Sequence, residues 1–160
     1  MYYQKTIKVP YFHRRFFWEV AKIKDLMDSI YKGYPIGGSL VIHKNIHNCY
    51  ILDGYQRLHS IDLALKGLTD EAIYFSLEDK SFYLYKKHLL TSFPLDKIRK
   101  TSDFLKVIDS IPERFKSDAK EFSNKILNYK IPVIEITDIT EEQAKDIYIR
   151  LHNYLYKTLS

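Results

Sequence analysis

Ile51-Leu52-Asp53-Gly54-Tyr55-Gln56-Arg57 changes its periodicity within two residues. The apolar run Cys49-Tyr50-Ile51-Leu52 has the length and content of a strand. From Tyr55 to Lys66, Leu58, Ile61, Ala64 and Leu65 recur at helical spacing, and Gly67 closes the pattern. A strand therefore feeds a helix through one glycine. The first amides of such a helix have no intrahelical partner, and Gly54 carries no side chain to keep another group off the backbone. The helix start favours an anion, most plausibly a nucleotide phosphate. Arg57, in the first helical turn, opposes the macrodipole at a cost of roughly a few tenths of a kcal/mol. An anion between the amides and its guanidinium offsets that cost, because guanidinium grips phosphate in bidentate fashion. Asp53, Gln56 and Arg57 are the candidate catalytic residues. Asp53 would orient Arg57, hold a metal-bound water or polarise an attacking water, and Gln56 would read a sugar or base edge. A plainer reading stands beside this one, in which Asp53 caps the helix and Arg57 pairs with a nearby carboxylate.

Working outward, Ser39-Leu40-Val41-Ile42 reads as a strand joined by a polar turn at residues 44–48 to Cys49-Tyr50-Ile51-Leu52, making a hairpin. Upstream, Val20, Ile23, Leu26, Met27 and Ile30 predict a helix over 18–32, stopped by Gly33. Pro10 holds Val9 in an extended conformation, so residues 9–12 read as an extended lead-in. Downstream, residues 72–77 and 82–85 resemble a second hairpin around Glu78-Asp79-Lys80. Residues 103–129 read as two helices interrupted near Pro112, and residues 131–136 as a strand. Thr140 and Gln143 form a capping-box pattern ahead of a last helix bearing Ala144, Ile147, Tyr148 and Leu151. Strands and helices do not alternate regularly, and there is no linker or repeat. The expectation is a single α+β domain over 1–160, with a small mixed sheet and packed helices.

Composition narrows the function classes. The 160 residues are 46% hydrophobic, and the single Cys49 excludes a disulfide framework or a Cys-rich zinc site. No apolar run approaches the roughly 20 residues needed to cross a bilayer, and the region after Met1 lacks a signal-peptide core, so a cytoplasmic location is expected. The net charge of +5 and the 14 tyrosines, several beside lysine, suit nucleotide or nucleic acid, although aromatic packing accounts for many of these rings. His43 and His47 sit in what reads as a polar turn without acidic neighbours, so a surface turn is favoured over a metal site. His59 and His88 read as packed or solvated. No metal ligands are assigned.

A second constellation lies before the first helix. Val9-Pro10-Tyr11-Phe12-His13-Arg14-Arg15-Phe16-Phe17-Trp18 gathers two arginines, a histidine and five aromatic rings. Pro10-Tyr11-Phe12-His13-Arg14 with Trp18 resembles the P-x-x-Q-R-x-x-x-W opening motif of the family called domain of unknown function 262. Leu26-Met27-Asp28-Ser29-Ile30 through Gly33-Tyr34-Pro35-Ile36-Gly37 resembles its L-L-D-S-I…G-Y-P-I-G stretch, and Tyr50 to Leu58 its Y-V-L-D-G-Q-Q-R-L signature. Ile147-Tyr148-Ile149-Arg150-Leu151 resembles the start of its I-F-E-R-I-N-S-G-G-T-P-L-S motif. These four motifs, in order, span nearly the whole chain.

The resemblance implies a ParB/sulfiredoxin-like fold and the role of an N-terminal domain in GmrSD-type restriction and anti-phage systems. It further implies a domain that binds, and in relatives hydrolyses, a nucleoside triphosphate, while a separate HNH-type nuclease domain or subunit cuts DNA; Mg²⁺ would be the companion of such a triphosphate. On this basis His13, Arg14, Gly54, Tyr55, Arg150 and Asn153 are expected at the cofactor, beside Asp53, Gln56 and Arg57. Three departures stand out. Tyr55 replaces the signature's first Gln, His13 replaces the opening motif's Gln, and the tail 150–160 lacks the family's glycine pair. Tyr154 and Leu155 in place of those glycines would hold a ligand off the backbone, which sets binding ahead of turnover. No HNH-like cluster follows the last motif, so a nuclease is expected from a partner or from further sequence. The rival class is a non-catalytic module that binds DNA or senses its modification through the basic, tyrosine-rich surface.

Overall fold

The computed structural model describes residues 7–45 and 47–157, the last four of them as backbone only. In chain order the elements are β1 (Ile7–Lys8), α1 (Val20–Tyr31), β2 (Leu40–Lys44), β3 (Cys49–Asp53), α2 (Tyr55–Lys66), β4 (Tyr74–Ser76), β5 (Ser81–Tyr83) and β6 (Ser92–Pro94). They continue with α3 (Thr101–Ser110), α4 (Lys116–Leu127), β7 (Val133–Ile136) and α5 (Glu141–Lys157). Single 3₁₀ turns at Leu95–Ile98 and Glu113–Phe115 precede α3 and α4. The fold is α+β. Two compact units share it, one drawn from Met1–Phe16, Gly37–Tyr55 and Ile131–Ser160, the other from Phe17–Ile36 and Gln56–Lys130.

The first unit is built on a four-stranded sheet in the order β1-β3-β2-β7. The hairpin β2–β3 is antiparallel, with an irregularity between Val41 and Ile42, whereas β1 runs parallel to β3 and β7 parallel to β2. The predicted strand over 131–136 begins at Val133, after Pro132, which has no N–H to give the ladder and whose carbonyl accepts the Leu40 N–H at 2.9 Å. Val41, Leu52 and Ala144 form a buried cluster, with Phe12, Ile136, Ile139, Ile147 and Leu151 packed against it. Burying one side chain such as Leu52 contributes about 1.5–3 kcal/mol. Cys49, at 1% exposure, is buried in β3. His43 departs from the polar turn read from the sequence. It lies in β2, buried, opposite Ile136 of β7, and its Nδ1 is 3.3 Å from the Ile136 carbonyl. His47 is in the exposed turn.

The residues before α1 also differ from expectation. Val9 precedes Pro10 as an unpaired residue, but the chain then turns, with the His13 N–H donating to the Pro10 carbonyl at 3.0 Å. Helix α1 starts at Val20, not Trp18, because Glu19 is extended (φ −74°, ψ 157°).

In the second unit, Ile23, Leu26, Met27 and Ile30 form the buried face of α1, and Gly33 ends the helix at φ 72°. The antiparallel sheet β5-β4-β6 carries Phe75, Phe82 and Phe93. Phe75 stacks on Phe122 of α4 with ring centroids 4.2 Å apart. At the β4–β5 turn, Lys87, Ser76 and His88 hydrogen-bond the Asp79 carboxylate and hold its pKa down to about 2. His88, 3.2 Å from Asp79, is a partner in that turn.

Candidate functional site

Strand β3 delivers Asp53 at its last residue, and Gly54 at φ 90° turns the chain straight into α2. A side chain strains the backbone at that angle, so the sharp junction depends on glycine. The first turn of α2 holds no acidic residue, and Arg57 lies in it.

Helix α5 supplies the other half of the first unit's cluster. The capping box forms as read: the Gln143 N–H donates to Thr140 Oγ1 at 3.2 Å, and the Thr140 N–H to Gln143 Oε1 at 2.8 Å. Tyr148 and His152, four residues apart, fall on one face, with ring centroids 4.1 Å apart. His152 Nδ1 is 2.8 Å from the Tyr148 carbonyl. A carbonyl only accepts, so Nδ1 carries the proton. The other nitrogen, Nε2, lies 4.0 Å from Asp53 Oδ1.

His13 completes the cluster. Its ring lies 5.0 Å from that of Tyr55, 4.8 Å from Tyr148 and 5.8 Å from His152. Its Nδ1, 3.0 Å from the Arg14 carbonyl, donates there for the same reason, which leaves Nε2 as an acceptor. That Nε2 is buried and has no hydrogen-bond partner. Burial lowers the pKa of His13, the bond to the Arg14 carbonyl counteracts it, and the charges of His152 and Arg14 add to the lowering. The Arg14 N–H donates to the Tyr148 hydroxyl at 3.1 Å, which fastens this segment to α5.

The expected site residues thus fall into groups. His13, Asp53 and Tyr55 come together with the backbone of Arg14 in the first unit, and Gly54 forms the junction beside them. Gln56 and Arg57 continue α2 in the second unit. Gln56, expected at a sugar or base edge, is buried, and its Oε1 accepts the Phe17 N–H at 3.1 Å. Arg150 is exposed and bonds Asp146 through Nε at 2.8 Å, and Asn153 is exposed. Tyr148 and His152 were not among the expected site residues. Their i, i+4 spacing on the inward face of the last helix is the signal that pointed to them.

Chemically, the cluster offers a carboxylate, a ring nitrogen that accepts, and an aromatic wall. Among the described residues no group of three or more His, Cys, Asp and Glu is placed to hold a metal ion. No helix among them is long and apolar enough to cross a membrane.

Comparison with the curated proteins and with the solved structures gives no match. The family model for the GmrSD restriction endonuclease N-terminal domain matches residues 1–156. With nearly its whole length matched, and with the strand–glycine–helix junction in place at Asp53-Gly54-Tyr55, the chain belongs to the family of GmrSD restriction endonuclease N-terminal domains.

Proposed function

We propose that this restriction-system domain is a nucleotide-dependent control element, which binds a nucleoside triphosphate at the start of α2 and so governs a nuclease domain paired with it. One observation carries the reading: Gly54, at φ 90°, joins β3 directly to a helix whose first turn has no acidic residue and contains Arg57. The opening amides and the guanidinium together form a phosphate grip. Asp53, at the end of β3, would orient water or a Mg²⁺ ion that arrives with the triphosphate. His13, neutral once its pKa is lowered, supplies a hydrogen-bond acceptor and no positive charge, so it suits a ligand hydroxyl or amine better than a phosphate.

The test is thermal. Millimolar nucleoside triphosphate with Mg²⁺ raises the melting temperature of the intact chain, and Arg57→Ala abolishes the shift. The absence of a shift with all four nucleotides overturns the reading. Phosphate release, measured on the same proteins, separates turnover from binding.

A further inference from the structure

The first unit contains a cavity of about 290 Å³ that the phosphate reading does not use. It is small, at the foot of the roughly 300–1,000 Å³ range of ligand pockets, and so fits a ligand of one or two rings. Phe12 and Tyr50 line it, Tyr11 stands at its exposed rim, and the His43 ring lies nearly parallel to that of Tyr50, at 14°. Three polar side chains also reach it: His43, Asn45 and Glu141. His43 Nδ1 donates to the Ile136 carbonyl, so its Nε2 is the acceptor of the neutral ring. Asn45 Oδ1 already accepts the His47 and Asn48 N–H groups at 3.0 and 2.7 Å, so its amide offers the cavity the Nδ2 donor, and Glu141 only accepts. The lining includes no lysine or arginine.

Flat aromatic walls stack any π-face. The polar edge wants a ligand that carries N–H donors beside an acceptor. A carboxylate without a cation turns phosphate away. A quaternary ammonium would suit the rings and Glu141, but would leave the hydrogen-bonding capacity of Asn45 and His43 unused. From the aromatic walls and the Glu141–Asn45–His43 edge, we infer that this cavity binds a nucleobase bearing an exocyclic amine, held by its ring and not by its phosphate. The inference stands on the first unit alone. The nucleobase belongs either to a free nucleoside or nucleotide, or to a base turned out of a DNA strand.

Saturation-transfer NMR on the intact chain tests this with adenosine, cytidine, guanosine and thymidine, none of which carries phosphate. Ring protons of the three amine-bearing nucleosides take up saturation. Glu141→Gln weakens them about tenfold, the typical worth of a hydrogen bond to a charged group, and changes thymidine little. Tyr11→Ala, at an exposed position, weakens the same three. No saturation at millimolar concentration, parent-like binding by both variants, or binding of tetramethylammonium in place of nucleosides overturns the inference. Competition assigns the source. A single-stranded oligonucleotide that outcompetes the mononucleotide points to a base in DNA, and the reverse points to a free nucleotide. Arg57→Ala keeps the outcomes apart, since it removes triphosphate stabilisation while nucleoside saturation persists.

Discussion

His13 holds one nitrogen on the Arg14 carbonyl and the other shut away without a partner, so adding a proton places a charge where no group receives it. The consequence for stability has a definite sign. In the unfolded chain the ring titrates near 6.5, and in the folded chain lower. As pH falls below 6.5 the unfolded chain takes up the proton first, so stability is lost from there down to the folded pKa, and the loss is constant below it. His13→Gln keeps hydrogen-bonding capacity and removes the titration. Its urea midpoint should fall less than the parent's between about pH 7.5 and about pH 5.5. Equal losses would place the titration elsewhere. At this scale the sequence showed Asp53, Gly54 and His13, because motifs concentrate them. It did not show that His152 approaches Asp53, since 99 residues separate two groups that only the docking of α5 beside β3 brings together.

Among the elements, α5 depends on its first turn. The Thr140–Gln143 box satisfies two orphan amides and sets where Tyr148 and His152 fall. Thr140→Ala should cost about 1 kcal/mol, within the 0.5–2 kcal/mol typical of lost caps, read as a lower urea midpoint with an unchanged m-value. Thr140→Ser should restore most of it. Elements of this kind were legible. The helices and the two hairpins follow from periodicity, from Gly33 and Gly67 at helix ends, and from the turn chemistry between strands. Short strands outside a hairpin were not. Neither Ile7–Lys8 nor Ser92–Pro94 is long enough to display an alternation, and each is a strand only because a partner far along the chain pairs with it. The parallel pairing of β7 with β2 escaped for the same reason.

Across the whole molecule, the chain passes from one compact unit to the other four times. Neither unit is a continuous segment, which explains why no linker is visible in the sequence. Ending the chain after Lys130 would remove β7, α5 and Ala144, and with them the cover of Val41 and Leu52. The shortened protein should lose the near-ultraviolet signal and dispersed NMR resonances of the first unit; a fully dispersed spectrum would show that β1–β3 hold without α5. Cys49 gives this architecture a reporter of its own. The chain's one thiol is buried in the middle strand pair of the first unit, where alkylating reagents do not reach it. Its modification rate therefore times the opening of that sheet, and a cysteine placed anywhere on the surface can carry a label without background from the native chain.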